Sequence, residues 1–211
     1  MKKIIWKILN SLKVGGPLQL YLNSQLKDIG WFNSFYKKES TDKHNKPLPW
    51  YTYPFISFLE PRLSKEMNVF EYGSGNSTIW FSERVSFITS VEHNKGWYDK
   101  VKKELPSNVS LVYKEIQNNC YANEVSSSGN KYDFIIIDGV DRNNCVYACI
   151  NHLTPTGVII YDNSQRDEYK ESINFLISKG FKKLDFWGMT AITPVISCTS
   201  IFYKNGNCLE I

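Results

Sequence analysis

Asn68-Val-Phe-Glu-Tyr-Gly-Ser-Gly-Asn-Ser-Thr78 runs straight into Ile79, Trp80 and Phe81. An apolar run ending in an acid, two glycines one residue apart and a Ser/Thr pair spell a strand, a tight turn and the capped start of a helix. Gly73 and Gly75 carry no Cβ, so the backbone there can take unusual dihedrals and a ligand can approach it closely. A nucleotide-like ligand suits such a turn; a glycine turn without a ligand is the plainer reading. The dinucleotide fingerprint asks for a third glycine three residues after the second, and that position holds Thr78.

Downstream the chain alternates between helix and strand. A helix over about 77–84 precedes a strand over 87–91 that ends in Glu92, and a helix over 94–105, stopped by Pro106, precedes a strand over 109–113. The polar stretch 116–131 reads as loop with a turn of helix near 121–125. Then come a strongly apolar strand over 132–137 ending in Asp138-Gly139, a helix over 143–153, a strand over 157–161 ending in Asp162-Asn163, and a helix over 168–179 closed by Gly180. Two last strand-like runs, 181–187 and 196–203, leave no room for a helix between them and should pair antiparallel. This predicts an α/β, Rossmann-like, doubly wound and mostly parallel sheet, covered on both faces, with ligands at the carboxyl ends of its strands.

Upstream, residues 1–14 carry apolar positions at helical spacing among lysines and predict a basic amphipathic helix. It either caps the domain or touches an anionic membrane surface. A second helical segment spans about 18–36, a polar loop 37–46, and the Pro-Leu-Pro-Trp-Tyr-Thr-Tyr-Pro stretch over 47–54 resists helix and either overlies the ligand pocket or packs the extension on the core. A helical pattern over 55–67 leads into the first strand. The division is thus an N-terminal extension, 1–54, and a ligand-binding domain, 55–211.

With 211 residues, 42% hydrophobic and 22% charged, the chain builds one core of ordinary composition. A net charge of +4 with dispersed lysines does not imply nucleic acid. Five cysteines form neither a disulfide framework nor a zinc spacing, and Cys145 and Cys149, one helical turn apart, read as a buried face. Lys7 breaks the apolar run a signal peptide needs, and no segment is long enough to cross a bilayer, so a reducing cytoplasm is the expected location.

The order of strand, acid, any residue, Gly, any residue, Gly resembles the first motif of class I methyltransferases that use S-adenosylmethionine. The resemblance implies a seven-stranded sheet whose last strand is reversed. It also implies a loop of Gly73, Ser74, Gly75 and Ser77 under the methionine moiety, held at that end by Glu71. Glu92, nineteen positions after Gly73, fits a carboxylate that accepts from the ribose diol, although a solvated strand end gives the same pattern. Glu115 and Ile116 are candidates beside the adenine.

Asp138 and Asp162-Asn163 end adjacent strands, so three hard oxygen ligands suited to Mg²⁺ or Ca²⁺ can converge there. Asp133-Phe-Ile-Ile-Ile-Asp138 and Val158-Ile-Ile-Tyr-Asp-Asn163 are similar to strands of catechol and caffeoyl-CoA type O-methyltransferases, a resemblance that implies a metal held by Asp138, Asp162 and Asn163. It departs from that group at Asp141, where a lysine is common. Without metal, Asp138 lines the cofactor pocket and Asp162-Asn163 caps the next helix.

The expected function is methyl transfer from S-adenosylmethionine to a small molecule, with Asp138 as the catalytic group and the hydroxyl of a sugar or other polar metabolite as acceptor. Asp141 and Arg142 would orient the substrate, and the segment 188–194 is either a substrate loop or a plain connection. Two alternatives stay open: an NAD-binding oxidoreductase and a non-catalytic module on the cofactor fold. No Gly-x-Ser-x-Gly occurs, which removes the nucleophile elbow of a hydrolase.

Overall fold

The computed structural model describes residues 2–211. Met1, first residue of the expected basic helix, lies outside them. The chain opens with four short helices, α1 (Lys2–Ser11), α2 (Gly15–Leu22), α3 (Gln25–Asp28) and α4 (Trp31–Lys37), followed by a loop and α5 (Tyr53–Leu59). The body then runs β1 (Asn68–Tyr72), α6 (Asn76–Ser82), β2 (Phe87–Glu92), α7 (Lys95–Val101), β3 (Val109–Tyr113), α8 (Cys120–Asn123) and β4 (Tyr132–Ile137). It ends with α9 (Arg142–Cys149), β5 (Leu153–Asp162), α10 (Lys170–Ser178), β6 (Lys182–Met189) and β7 (Ile196–Tyr203).

The seven strands form one sheet in the order β3-β2-β1-β4-β5-β7-β6, parallel except for β7, which pairs antiparallel with both β5 and β6. This is the Rossmann-like sheet the alternation predicts. Along β4 the side chains divide between the two faces. Phe134 and Ile136 join Phe55, Trp80 and Phe81 beneath α5 and α6, whereas Ile135 and Ile137 join Cys145, Val146 and Leu176 beneath α9 and α10. Fully burying one such side chain contributes roughly 1.5–3 kcal/mol, so these strands, apolar on both faces, anchor the fold.

Three expected elements are differently bounded. The helical stretch 18–36 is three helices, because the Ser24 side chain accepts from the Lys27 amide at 3.3 Å and starts α3 afresh. The helix expected over 55–67 begins earlier, at Tyr53, and gives way after Leu59 to a single 3₁₀ turn. Pro54 sits in its first turn, where a missing N–H costs no intrahelical bond. Finally, β5 starts at Leu153 rather than 157, through a register shift against β4.

Register decides what meets at the carboxyl edge. Tyr72 pairs with Val91 and Ile137, and Ile137 with Tyr161. The next residues on these strands are Gly73, Glu92, Asp138 and Asp162, so the four positions singled out from the sequence stand side by side. The sheet order reverses between β1 and β4, the position at which open α/β sheets bind ligands.

Candidate active site

The glycine turn is built on Glu71. This carboxylate is 1% exposed and accepts hydrogen bonds from Ser77 Oγ, from Thr78 Oγ1 at 2.5 Å and from Ser90 Oγ at 2.8 Å. Thr78 Oγ1 in turn accepts from the Gly75 amide at 3.0 Å. Burial raises the Glu71 pKa, and the three hydroxyls pull it back. Its oxygens are thus engaged behind the loop, so where the resemblance implies a contact with the cofactor, Glu71 braces the N-terminus of α6. Thr78 stands where a dinucleotide fold has its third glycine, and its hydroxyl is part of this brace. Gly73 has φ +105° and Gly75 φ +149°. A Cβ at 73 would press on the Asp138 carbonyl at 3.3 Å, so both positions favour glycine.

Glu92 is 4% exposed. Its Oε1 accepts from the amides of His93 and Asn94 at 2.9 and 2.8 Å, and its Oε2 from Ser74 Oγ at 3.0 Å. The carboxylate therefore ties the end of β2 to the glycine loop. Trp97, in the first turn of α7, is 42% exposed, and its indole N–H donates to the Ser74 carbonyl at 2.9 Å. Its ring also lies 3.5 Å from where a Gly75 Cβ would stand. Nothing in the apolar periodicity marks that contact.

Beyond β4 and β5 the decisive residue is Arg142, at the start of α9 and 8% exposed. Its Nε donates to the Gly139 carbonyl at 2.8 Å, Nη1 to the Asp162 carbonyl, and Nη2 to Asp138 Oδ1 at 3.1 Å. Asp162 Oδ1 accepts from Thr199 Oγ1 at 2.7 Å, and the Asn163 side-chain amide donates to Ser197 Oγ at 3.1 Å. The expected metal positions Asp138, Asp162 and Asn163 do share one strand edge, where the Arg142 guanidinium stands against Asp138 Oδ1 and the bond from Asn163 to Ser197 uses the amide nitrogen, not the oxygen. Among the described residues no group of three or more His, Cys, Asp or Glu stands ready for a metal.

Burial, and then the adjacent Asp162 carboxyl, holds Asp138 well above the usual carboxylate range against the pull of Arg142. Asp162 is also raised, chiefly by burial. The pair therefore holds a proton more readily than two free acids would. Tyr51 adds a group that periodicity gives no hint of. Its hydroxyl is fully buried with no hydrogen-bond partner, and its pKa is raised by burial and then by Asp138, Glu71 and Asp162.

These groups border a cavity of about 910 Å³ lined by Ser74, Gly75, Ser77, Asp138, Asp162 and Asn163 on the sheet side. Opposite stand Ser40 and Trp50 from the extension, with Thr190 and Thr193 from the β6–β7 connection and Ile196 from the start of β7. The extension is fastened to this wall: Asn76 Nδ2 donates to the Ser40 carbonyl at 2.7 Å, Trp50 Nε1 to Thr190 Oγ1 at 3.0 Å, and Trp31 Nε1 to the Thr193 carbonyl at 3.3 Å. Of the two readings of the aromatic stretch, the structure gives both, since Trp50 lines the cavity while Tyr51 joins the core. Glu71 and Glu92 are not in the lining, and neither are the adenine candidates Glu115 and Ile116. Cys145 and Cys149 are buried in the core, where burial pushes their thiols up and away from nucleophilic use.

The sheet order, the reversed β7 and the glycine turn together define the fold of class I S-adenosylmethionine-dependent methyltransferases. Solved structures bear this out. Precorrin-6y C5,15-methyltransferase from Geobacter metallireducens GS-15 superposes with a TM-score of 0.58 at 18% identity, over 81% of this chain and 96% of its own. A Staphylococcus aureus protein described provisionally as a caffeoyl-CoA O-methyltransferase gives 0.57 at 14% identity, over 96% and 100%. A methyltransferase-like protein of Streptococcus mutans, solved in complex with SAH, gives 0.55 at 12% identity, over 71% and 96%. An rRNA methylase from Streptococcus thermophilus also shares the fold, with 0.53 at 12% identity, over 71% and 93%. The fold itself therefore does not support the exclusion of nucleic acid drawn from charge. No protein-family model and no curated protein matches the chain.

Proposed function

We propose that the protein is an S-adenosylmethionine-dependent methyltransferase whose acceptor is the hydroxyl of a small molecule, a sugar or a comparable polar metabolite. One observation carries this reading: the glycine turn and Asp138 line the same cavity, so a methyl donor and an acceptor can meet there. Its volume lies in the range of small-molecule sites. The Trp50 and β6–β7 wall opposite the sheet favours a small acceptor over a nucleic-acid strand.

The cofactor would rest on Ser74, Gly75 and Ser77, with Glu71 and Glu92 fixing the loop and the end of β2 that carry it. A bound S-adenosylmethionine supplies an electrophilic methyl group. The chain holds the acceptor in line with it, which can contribute about 7 kcal/mol or more through orientation alone. Asp138, whose burial and neighbouring Asp162 make it a stronger base than an ordinary aspartate, accepts the hydroxyl proton. Arg142 aims that carboxylate. The brace of Thr78 in place of a third glycine speaks against the NAD reading.

Calorimetric titration with S-adenosylmethionine, S-adenosylhomocysteine and NAD tests the cofactor, and an acceptor screen monitored by S-adenosylhomocysteine release tests the reaction. Heat from NAD alone would replace the methyltransferase reading. Cofactor binding without product across hydroxylated acceptors would instead leave a binding module.

A further inference from the structure

No acidic residue occurs before Asp28, whereas lysines stand at positions 2, 3, 7, 13 and 27. In α1, at about 100° per residue, Ile4, Ile8, Leu12 and Ile5 fall on one contiguous arc of the helix surface. The sequence alone left this arc free to pack on the domain. It does not: the four side chains are 64%, 56%, 65% and 52% exposed. Leu9, at the edge of the arc, and Trp6, opposite it, are partly covered, and Lys3, Lys7 and Lys13 are exposed on the rest of the surface, Lys7 nearest the arc.

The presentation is fixed by local structure. Lys13 takes φ 58°, and the amides of Lys13 and Val14 bond back to the carbonyls of Asn10 and Leu9, each at 3.0 Å, which ends α1 in a tight left-handed turn. α2 starts at once on the buried Gly15, where a Cβ would lie 1.9 Å from Asn10 Oδ1. The two helices therefore form a close hairpin whose second arm leaves Leu20, Tyr21 and Leu22 about half exposed.

Three kinds of partner would cover apolar surface. A second copy would bring lysines against lysines, with no acid in either hairpin to pair them. A nucleic acid would answer the lysines but not the isoleucines. An anionic bilayer surface answers both, taking up the apolar arc at the level of the headgroups while its charge attracts the flanking lysines. A ten-residue helix spans about 15 Å against a hydrocarbon core of about 30 Å, so it lies on the surface. No described helix is long and apolar enough to cross a membrane.

We propose that α1, together with the apolar side of α2, seats this protein on anionic membrane surfaces. The seat is independent of what the cavity binds. The test is co-sedimentation of the full chain with vesicles of phosphatidylcholine alone and of phosphatidylcholine mixed with phosphatidylglycerol. Binding should favour the mixed vesicles by about tenfold or more and weaken with salt. Ile5→Glu with Ile8→Glu, and separately Lys3→Gln with Lys7→Gln, should each reduce it by about tenfold. Because these side chains are exposed, melting temperature and cofactor affinity should not move. Equal binding to both vesicle types, no binding, or binding unchanged by the substitutions overturns the proposal. So does a concentration-dependent dimer in light scattering that Ile5→Glu with Ile8→Glu abolishes while vesicles bind nothing, which would assign the face to a second copy.

Discussion

Arg142 Nη2 stands 3.1 Å from Asp138 Oδ1, with the same guanidinium on the carbonyls of Gly139 and Asp162. One side chain thus closes the ends of β4 and β5, in the place where the related strand pattern led us to expect a metal. Activity should be indifferent to chelators: assays with and without EDTA should agree, and a restoration by Mg²⁺ after chelation would refute the assignment. Arg142→Ala should lower stability by about 2–3 kcal/mol in urea unfolding, since it leaves the partly buried Asp138 and the buried Asp162 without their partner. Arg142→Lys should recover only part of this, because a point charge cannot serve several acceptors at once.

The raised Asp138 fixes the sign of a pH effect. The fold disfavours its ionised form, and that cost is absent below the ordinary carboxylate pKa of about 3.9. It grows as pH rises toward the folded-state value and is complete above it. Asp138→Asn should therefore raise the melting temperature at neutral pH by roughly 2–4 °C, the response to about 1 kcal/mol in a chain of this size. The gain should vanish near pH 4 and below. Turnover should collapse in the same variant while cofactor affinity is largely kept. A variant as active as the parent would remove Asp138 from the proton transfer.

How far the sequence reaches depends on which force places each group. The sheet was legible because it follows from short-range facts: apolar runs, glycines, prolines and alternation. Gly73, Glu92, Asp138 and Asp162 were legible too, since strand ends in a parallel sheet stand together once the register is known. Arg142 was less legible, because it lies close to Asp138 in sequence but carries no sign that its guanidinium turns back onto both strands. The bonds of Trp50 and Trp97 escaped for a similar reason, although the stretch 47–54 that holds Trp50 was read as one that could overlie the pocket. Each makes its defining bond to a distant segment, Trp50 to Thr190 and Trp97 to Ser74, and no periodicity encodes such a partner.

Glu92 takes three hydrogen bonds that hold His93, Asn94 and Ser74 around the expected ribose position. A bond to a charged group contributes about 1.5–3 kcal/mol. Glu92→Gln should thus raise the Kd for S-adenosylmethionine by roughly ten- to a hundredfold, read by titration calorimetry. An unchanged Kd would separate Glu92 from the cofactor altogether.

Trp50 donates its indole N–H to Thr190 Oγ1 at 3.0 Å and ties the extension to the β6–β7 connection. Trp50→Phe keeps an aromatic side chain, smaller than the indole, and deletes the donor, at a stability cost of about 1 kcal/mol for the lost bond. If this wall positions the acceptor, KM for the acceptor should rise while the Kd for S-adenosylmethionine stays put. Equal changes in both would mean that Trp50 supports the whole cavity rather than the acceptor side.

Tyr51 offers the opposite balance between stability and activity. Its hydroxyl is buried beside Asp138 and Asp162 without a partner, and an unmet buried polar group costs about 1–3 kcal/mol. Tyr51→Phe removes that group and keeps the ring, which packs edge-on against Phe55 at 5.5 Å. The variant should therefore be more stable by about 1 kcal/mol in urea unfolding. A polar group held at such a cost in the field of Asp138 and Asp162 is explained if it tunes those acids during turnover, so kcat should fall as stability rises. If Tyr51→Phe gains stability and turns over at the parental rate, the hydroxyl serves neither the fold nor the reaction.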